Sequence, residues 1–483
     1  MADTYHNYVD GEWTRSRTGD TFEVRNPADL DDVVGQFQSS SREDAEEAIA
    51  AAVAAQDDWA GTPAPERGAV LTRAARNLEA RKEELTESLT REEGKTLGEA
   101  RGEVQRAIDI FYYYAQKARE FRGTVKNSSA THQNLYTVRE PLGTVGLITP
   151  WNYPIAIPAW KIAPALATGN TIAFKPASNT PDIARELVEC IDDAGLPDGV
   201  LNYVTGSGSQ IGDPFSEHED IDGVSFTGSS TVGNAVYDAA TGDGKRVQTE
   251  MGGKNPTVVM PSADIEEAAG HAGLGAFGVT GQACTACSRA IVHESVHDEF
   301  VDAIVDYADD IGIGDGREGA DMGPHVSQGE LEGTLDYIDV GETEGATLTY
   351  GGSRLEGGDY DDGYFIEPTV FTDVDSDMRI AQEEIFGPVL AVIGVSDFDE
   401  AMEVANDVDY GLSSSIVTQD HTEANRFIDE IEAGVAKVND KTTGLELHVP
   451  FGGFKNSSSE TWREQGDAGI DFYTIDKTVY DNY

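Results

Sequence analysis

Short apolar segments alternate with helical segments through the middle of this 483-residue chain, about every 25–30 residues. Five of them have the length and composition of buried strands: Gly143–Thr149, Thr171–Lys175, Val200–Val204, Val224–Thr227 and Thr257–Met260. Between two of these strands, residues 181–194 form a helical pattern with proline at the start and Gly195 just past the end. Because strands that alternate with helices build βαβ units, the pattern predicts an α/β fold with a parallel sheet. A second series of the same kind covers residues 262–450.

The two ends of the chain have different patterns. Residues 41–118 combine strong helix formers with helical apolar spacing, and Ser41 is a suitable N-cap. Near the other end, Phe472–Tyr480 alternates like an edge strand, with no obvious partner nearby in sequence. Pairing with another subunit and pairing within the chain therefore both stay open. The length predicts about two or three domains.

Residues 141–160 carry no charge, and this is the length of a membrane-spanning helix. However, Pro141, Pro150, Pro154 and Pro158 make a continuous helix unfavourable. The stretch therefore predicts a buried strand that runs into a loop. The N-terminus has no basic region followed by an apolar run, as a signal peptide would, so we expect a cytoplasmic protein.

The net charge is −54, from 88 acidic and 34 basic residues spread along the whole chain. Such an excess repels nucleic acids and anionic membranes, so we expect neither as a partner. It is typical of a hydrated surface adapted to a salt-rich cytoplasm, as in a halophile, where screening weakens the repulsion between like charges. Charge by itself indicates nothing about catalysis.

Two of the three cysteines, Cys284 and Cys287, lie in the sequence Gly-Gln-Ala-Cys-Thr-Ala-Cys. Their spacing fits a redox pair, half of a zinc site, or one nucleophilic thiol beside an uninvolved one. An odd number of cysteines in a long chain argues against a secreted disulfide scaffold. The spacing alone does not choose among these interpretations.

The sequence His293-Glu-Ser-Val-His297 matches the zinc-protease pattern H-E-x-x-H, which requires both histidines on one helix. Residues 289–292 instead resemble a strand, and Ser295 with Asp298 resembles a capping box for the helix that follows. We therefore expect no zinc there. The two cysteines are also too close to these histidines for a zinc finger, so no metal is predicted.

Two glycine-rich turns follow predicted strands. Residues 206–212 resemble a phosphate loop only loosely. Residues 225–233 place Gly228 after a strand and open a helix at the next residues, where backbone N–H groups and the helix dipole favour a pyrophosphate. An ordinary turn explains this stretch equally well. Further on, Glu250 lies in a glycine-rich bend, where a desolvated carboxylate could activate water, although surface decoration is the simpler explanation.

Taken together, seven motifs occur in an order typical of one family: Pro150-Trp-Asn-Tyr-Pro154, Phe174-Lys-Pro-Ala-Ser178, the turn at 225–233, Glu250-Met-Gly-Gly-Lys-Asn255, Gly281-Gln-Ala-Cys284, Glu383-Glu-Ile-Phe-Gly-Pro388 and Pro450-Phe-Gly-Gly-Phe-Lys455. The chain resembles the aldehyde dehydrogenase superfamily over nearly its whole length. The resemblance implies a Rossmann-like dinucleotide-binding domain (1–120 and 142–252), an α/β catalytic domain (253–455) and a small β oligomerisation arm (121–141 and 462–483). It also implies a homo-oligomer, a dimer or a homotetramer.

The resemblance assigns catalytic roles to three residues. Cys284 would be the nucleophile that forms a thiohemiacetal and then a thioester, Asn152 would donate to the oxyanion, and Glu250 would activate the hydrolytic water. Relatives that transfer the acyl group to coenzyme A typically lack this glutamate, so hydrolysis to the acid is expected. A non-catalytic member would typically have lost one of the three. The implied cofactor residues are Trp151, Lys175, Ser178, Gly228, Ser229, Glu384 and Phe386.

Among these, Ser178 bears on cofactor choice. Members that prefer NAD carry a glutamate there, which binds the ribose hydroxyls and repels a 2′-phosphate. Serine removes this repulsion, so the resemblance implies NADP as the preferred cofactor, with NAD as the alternative.

The C-terminal motifs indicate the substrate. Residues 444–453 and 462–466 resemble α-ketoglutarate semialdehyde (2,5-dioxopentanoate) dehydrogenases, which act in pentose and sugar-acid degradation. Trp160 and Gly278 stand where succinate-semialdehyde members carry arginines, and Lys437, Lys455 or Arg463 are the candidate replacements. Three aromatic residues would line the substrate tunnel, Tyr153, Trp160 and Phe451, and they suit betaine aldehyde equally well through cation–π contacts.

Overall fold

The computed structural model describes residues 3–459 and 461–483. Its first half contains these elements: β1 (Asn7–Val9), β2 (Glu12–Thr14), β3 (Thr21–Asn26), β4 (Asp29–Gln38), α1 (Arg42–Gly61), α2 (Ala64–Ala80), α3 (Lys82–Glu93), α4 (Leu97–Lys117), β5 (Val125–Lys126), β6 (Gln133–Pro141), β7 (Thr144–Ile148), α5 (Ala156–Thr168), β8 (Thr171–Lys175), α6 (Pro181–Asp192), β9 (Leu201–Tyr203), α7 (Asp213–Glu217), β10 (Gly223–Thr227), α8 (Ser230–Gly242) and β11 (Arg246–Glu250). The helices predicted over residues 41–118 and 181–194 are confirmed.

The second half continues the alternation of strands and helices: β12 (Asn255–Val259), α9 (Ile265–Phe277), β13 (Cys287–His293), α10 (His297–Asp309), α11 (Gln328–Glu344), β14 (Thr347–Tyr350), β15 (Thr369–Thr372), α12 (Arg379–Gln382), β16 (Val389–Val395), α13 (Phe398–Asn406), β17 (Tyr410–Gly411), β18 (Ser413–Val417), α14 (His421–Glu430), β19 (Val435–Val438), β20 (Phe454–Lys455), α15 (Gly466–Phe472) and β21 (Thr474–Asn482). The predicted α/β class is confirmed.

The first large sheet has the order β11-β10-β7-β8-β9-β1-β2. The five strands from β11 to β9 are parallel, whereas β1 and β2 add antiparallel strands at one edge. The chain builds outward from β7 in one direction through β8 and β9, and then returns to the other side of β7 with β10. In sheets of this kind a ligand binds outside the carboxyl ends of the strands, at the point where the order reverses.

The second large sheet has the order β14-β15-β16-β13-β12-β18-β19, and all its pairs are parallel except β14 with β15. Its central strands are buried along almost their whole length, as expected for a sheet covered by helices on both faces. The short segment that connects α9 to β13 carries Cys284.

The C-terminal strand has its partner within the chain. All nine residues of β21 pair antiparallel with β6, and β5 adds a third, short strand on the other side of β6. Of the two alternatives that the sequence left open, the structure shows the pairing within the chain. The strand predicted at 472–480 begins two residues later, because Phe472 ends α15 and packs in the core of the first half.

Two local predictions need correction. The stretch 141–160 does form strand β7 and a loop, but α5 begins at Ala156 and includes Pro158. Proline is tolerated there because it falls in the first helical turn, where the missing N–H has no intrahelical partner. The predicted capping box at Ser295 is absent, since the Ser295 hydroxyl contacts Nδ1 of His293 and α10 has Val296 as its N-cap.

Among residues 3–459 and 461–483, no helix combines the length and hydrophobicity that crossing a bilayer requires. His293 ends strand β13 and His297 opens α10, so these two histidines do not share a helix, as predicted. No group of three or more metal-ligating side chains comes together in the part of the chain that the structure describes.

Candidate active site

Cys284 lies between two cavities that meet at its side chain. The first cavity, of about 190 Å³, opens at the carboxyl ends of β7 and β10, and the second, of about 360 Å³, lies beside α4 and α5. Thr227, Met251 and Cys284 line both. A thiol at this junction is able to contact a molecule in each cavity at the same time. A transfer reaction between two substrates requires such a position.

The backbone before Cys284 adopts an unusual conformation. Val279, Thr280 and Gly281 all have left-handed φ angles, of 52°, 55° and 67°. The N–H of Val279 donates to the carboxylate of Glu99 at 2.6 Å, which offsets the strain of a β-branched residue in this region. A side chain on Gly281 would lie 2.1 Å from the carbonyl oxygen of Gly387. Only glycine therefore fits at the turn that presents the nucleophile.

Asn152 is positioned by one contact of its side-chain amide and one contact of its backbone carbonyl. Its Nδ2 donates to the carbonyl of Gln282 at 3.0 Å, two residues before Cys284, and its own backbone carbonyl accepts from Lys95 at 2.7 Å. The amide has a second N–H, and Asn152 lines the first cavity beside Cys284. This is the arrangement that an oxyanion donor requires.

Burial, with a smaller contribution from the carboxylates of Glu384, Glu250 and Glu464, raises the pKa of the Cys284 thiol to about 12. The side chain stays partly accessible through the cavities, although protein surrounds it on the other sides. Among the described residues no disulfide forms, and both cysteines of the C-x-x-C sequence are free thiols. The thiol is therefore protonated at neutral pH until a reaction partner changes its surroundings.

This pKa gives a direct prediction for alkylation of the enzyme without cofactor. Only the thiolate reacts, so the rate of inactivation by iodoacetamide is expected to rise about tenfold per pH unit between pH 7 and 9. Inactivation rates measured across this range check the expectation. Cys284→Ser controls for reaction elsewhere, since Cys190 and Cys287 are buried. A rate that levels off near neutral pH would contradict a raised pKa.

Glu250 ends strand β11 and lines the second cavity. Its side chain is buried, and within the described residues neither carboxylate oxygen has a hydrogen bond of normal geometry. Burial raises the pKa of this carboxyl well above its usual range, Glu464 raises it further, and Lys161 and Arg463 oppose the increase. A desolvated carboxylate with free lone pairs that faces a cavity has the properties of a general base. The surface interpretation of Glu250 is wrong.

Lys161 and Glu464 form a buried ion pair next to Glu250. Lys161 also donates to the hydroxyl of Ser225 at 2.7 Å, so both of its contacts hold β10 and the C-terminal segment against α5. No sequence pattern indicated this pair, because its members are 303 residues apart. A second buried ion pair, of Lys95 with Glu103, supports the loop that carries Asn152.

Six predicted residues line the first cavity: Trp151, Asn152, Gly228, Ser229, Glu384 and Phe386. The rings of Trp151 and Phe386 meet edge to face with centroids 5.3 Å apart. Glu384 accepts from the N–H of Gly253 at 2.9 Å, and a side chain on Gly252 would lie 2.1 Å from the same carboxylate. Burial raises the pKa of Glu384 to about 7.

The first cavity suits a dinucleotide. Ser229 caps the N-terminus of α8, where free backbone N–H groups and the helix dipole favour a phosphate. Glu384 offers a carboxylate for ribose hydroxyls, and the aromatic pair forms an apolar wall for a flat ring. The site lies where the strand order of the first sheet reverses, which is where such cofactors bind in α/β folds.

Lys175 and Ser178 do not line the first cavity. Lys175 ends β8, two strands away from β10 in the sheet, and burial lowers its pKa to about 8. Ser178 donates to the carbonyl of Gly206 at 3.0 Å, which ties the turn at 206–212 to the end of β8. Both residues lie along the carboxyl edge of the same sheet, where the far end of an extended dinucleotide would reach.

The second cavity contains the three predicted aromatic residues, Tyr153, Trp160 and Phe451. The rings of Trp160 and Phe451 are 6.2 Å apart. The ammonium group of Lys95 lies 4.5 Å over the ring of Tyr153, so that ring already binds a cation of the protein itself.

The three candidate replacements for a carboxylate-binding arginine have other partners. Lys437 donates to the carbonyls of Thr443 and Gly444, and Lys455 contacts backbone carbonyls and Glu432. Arg463 donates to the carbonyl of Gly453 and to Ser458. None of the three lines the second cavity, so their prediction as substrate-binding cations is wrong.

Comparisons with known proteins agree with this geometry. A sequence profile described as the aldehyde dehydrogenase family matches residues 13–479. The α-ketoglutarate semialdehyde dehydrogenase of Haloferax volcanii is 64% identical over 483 residues, which is 100% of both chains. The 2,5-dioxopentanoate dehydrogenase of Saccharolobus solfataricus is 44% identical, over 99% of this chain and 100% of the other.

Solved structures give the same result. The crystal structure of betaine aldehyde dehydrogenase from Staphylococcus aureus in complex with NAD⁺ superimposes with a TM-score of 0.96 at 36% identity, over 99% of this chain and 95% of the other. The predicted fold and the resemblance found in the sequence motifs are thereby confirmed. The chain belongs to the aldehyde dehydrogenase family, whose members are oxidoreductases that use a nicotinamide cofactor.

Proposed function

We propose that this protein oxidises 2,5-dioxopentanoate (α-ketoglutarate semialdehyde) to 2-oxoglutarate, with NADP⁺ as the preferred acceptor. The observation that carries the proposal is Cys284 at the junction of two cavities, with a free buried carboxylate, Glu250, in the second. The substrate follows from the relatives, three of which carry this substrate in their names at 44–64% identity over nearly the whole chain. The reaction would complete a route of pentose or sugar-acid degradation in the cytoplasm.

The residues of the chain support each step of such an oxidation. The Cys284 thiolate adds to the aldehyde carbon, and the Asn152 amide with the Cys284 backbone N–H donates to the oxyanion of the resulting thiohemiacetal. A nicotinamide cofactor held by the residues of the first cavity would supply the acceptor for the hydride that leaves this carbon. The product on Cys284 is a thioester. Glu250 then removes a proton from water, which attacks the thioester and releases the acid and the thiol.

The substrate assignment is tested by a comparison of kcat/KM for 2,5-dioxopentanoate, succinic semialdehyde, betaine aldehyde and pentanal, at one high salt concentration. We expect the highest value for 2,5-dioxopentanoate. A higher value for betaine aldehyde would favour the alternative that the Trp160–Phe451 pair suggests. A carboxylic acid product without added coenzyme A confirms hydrolysis.

The preference for NADP⁺ rests on Ser178. Ser178 lies three residues after the end of β8, and its uncharged hydroxyl exerts no electrostatic repulsion on a 2′-phosphate. Ser178→Glu is expected to lower the ratio of kcat/KM for NADP⁺ over NAD⁺ by about 10- to 100-fold, since the new carboxylate repels the phosphate at short range. Ser178→Ala separates the loss of the hydroxyl from the gain of charge. An equal shift in both variants, or a wild-type enzyme that prefers NAD⁺, would contradict the proposal.

We also propose that the protein is a homo-oligomer. The sheet of β5, β6 and β21 has exposed apolar side chains, among them Val125, Ile475 and Tyr480, which is typical of a surface that pairs with another copy. Because residues 466–473 pack into the core of the first half, the arm most simply begins at Thr474. Native mass spectrometry of the full chain distinguishes a dimer from a tetramer, and a monomer would contradict this proposal.

A further inference from the structure

Most charged groups that line the second cavity have partners. Lys95 pairs with Glu103 at 2.6 Å, and Glu464 pairs with Lys161. Glu99 accepts hydrogen bonds from backbone N–H groups at both of its oxygens. These groups hold the walls of the cavity together, and their charges are compensated within the protein.

Two cations of the same cavity differ from the rest. The side chains of Arg106, on α4, and Lys441, in the loop after β19, have no hydrogen bond or ion pair among residues 3–459 and 461–483, yet both line the cavity. Arg106 is half-buried, and its pKa is lowered by this burial, with Glu446 and Asp109 opposing. In a chain with 88 acidic residues, a half-buried guanidinium without a carboxylate partner indicates that an anion from outside completes the site.

The position of Arg106 along α4 indicates which part of a substrate it would contact. Glu99, Glu103 and Arg106 have the spacing of one helical face. Glu99 binds the N–H of Val279, five residues before Cys284, so this end of α4 lies at the nucleophile loop. Arg106 begins about 10 Å further along the helix axis. Arg106 therefore supplies positive charge on the part of α4 away from the Cys284 loop, and Lys441 adds a second cation to the lining of the same cavity.

We infer that Arg106, assisted by Lys441, binds the carboxylate of a semialdehyde whose aldehyde carbon lies at Cys284. The inference rests on the proposed function and extends it to the residues that determine specificity. The terminal carbons of an extended five-carbon chain are about 5 Å apart, a gap that the arginine side chain can close from the helix. A guanidinium binds a carboxylate through two parallel hydrogen bonds, and the same pair of cations repels a quaternary ammonium.

The test compares two aldehydes of five carbons, 2,5-dioxopentanoate and pentanal, in the full-length enzyme with saturating cofactor and fixed salt. Arg106→Gln is expected to lower the ratio of kcat/KM for 2,5-dioxopentanoate over pentanal by about 10- to 100-fold, mainly through KM. Arg106→Lys should recover part of the ratio, because it restores the charge without the two-point contact. Lys441→Gln should show a smaller decrease. The matched control is Arg101→Gln, one turn or so earlier on α4, where the arginine is exposed and pairs with Glu83.

Two results would overturn the inference: an unchanged ratio in Arg106→Gln, whether from no loss or from an equal loss on both aldehydes, or the same decrease of the ratio in Arg101→Gln. An equal loss would show that Arg106 acts only on the structure of the cavity. The wild-type enzyme distinguishes this failure from failure of the proposed function. If the wild type does not prefer 2,5-dioxopentanoate over pentanal, the proposed substrate is wrong. If the wild type prefers 2,5-dioxopentanoate over pentanal and Arg106→Gln keeps this preference, the proposed substrate stands and only the proposed role of Arg106 is wrong.

Discussion

Cys284→Ser is expected to reduce turnover by about 10⁴-fold or more, the largest effect that we anticipate for a single substitution. Every covalent step passes through this sulfur, and a serine hydroxyl is almost fully protonated at any pH at which the enzyme is folded. The cavity itself would change little, since the two side chains differ by one atom. Turnover and the release of reduced cofactor in the first cycle measure the effect.

Cys287→Ser is the matched control for this substitution. Cys287 is buried at the start of β13, where its sulfur contacts the hydroxyl of Thr257 at 3.2 Å and lines neither cavity. A reaction through one thiol predicts that this variant retains turnover within a few-fold. Comparable losses in both variants would instead indicate a redox pair, and normal turnover of Cys284→Ser would refute the mechanism.

Glu250→Gln is expected to separate the two halves of the reaction. Reduced cofactor should still form in a burst close to one equivalent per active site, because the thiol adds and the hydride leaves before Glu250 acts as base toward water. The steady-state rate should then fall by about 10²- to 10⁴-fold, since the thioester hydrolyses without a general base. Rapid-mixing absorbance of the reduced nicotinamide measures both phases.

The pH dependence gives a second measurement of the same residue. The pKa of Glu250 is raised, so the fraction of deprotonated carboxylate, the form that accepts a proton, increases as the pH rises through this value. The steady-state rate of the wild type should therefore rise with pH over that interval, and this rise should be missing in Glu250→Gln. Loss of the burst in this variant would show that Glu250 acts before the thioester forms.

The motifs could predict residues that the structure brings together around Cys284 because each motif is a short local sequence with a rigid conformation. Gly281 precedes the nucleophile, Gly252 lies beside Glu384, and Ser229 caps a helix after a strand; in each case a few neighbouring residues determine the backbone. The alternation of strands and helices likewise predicted the parallel sheets, since it depends only on periodicity.

Other features depend on how the folded chain brings residues together, and local sequence did not predict them. Lys437, Lys455 and Arg463 looked equally available for a substrate carboxylate, but each donates to backbone carbonyls that only the folded chain brings near. The partner of β21 is a strand more than 300 residues earlier. Burial and long-range pairing are not encoded in local spacing.

The sequence by itself therefore determined the α/β class and the family, and it predicted the nucleophile, the base and the oxyanion donor, because these depend on local motifs. The tertiary structure decided what surrounds them. It placed Cys284 between two cavities and desolvated Glu250. Within the described part of the chain it left the side chains of Arg106 and Lys441 without a hydrogen bond or ion pair, whereas Lys95 and Glu464 in the same cavity have carboxylate or ammonium partners. The physical reason is that pKa values and free binding capacity depend on which charges and hydrogen-bond partners lie within a few ångströms, and distant segments supply most of these.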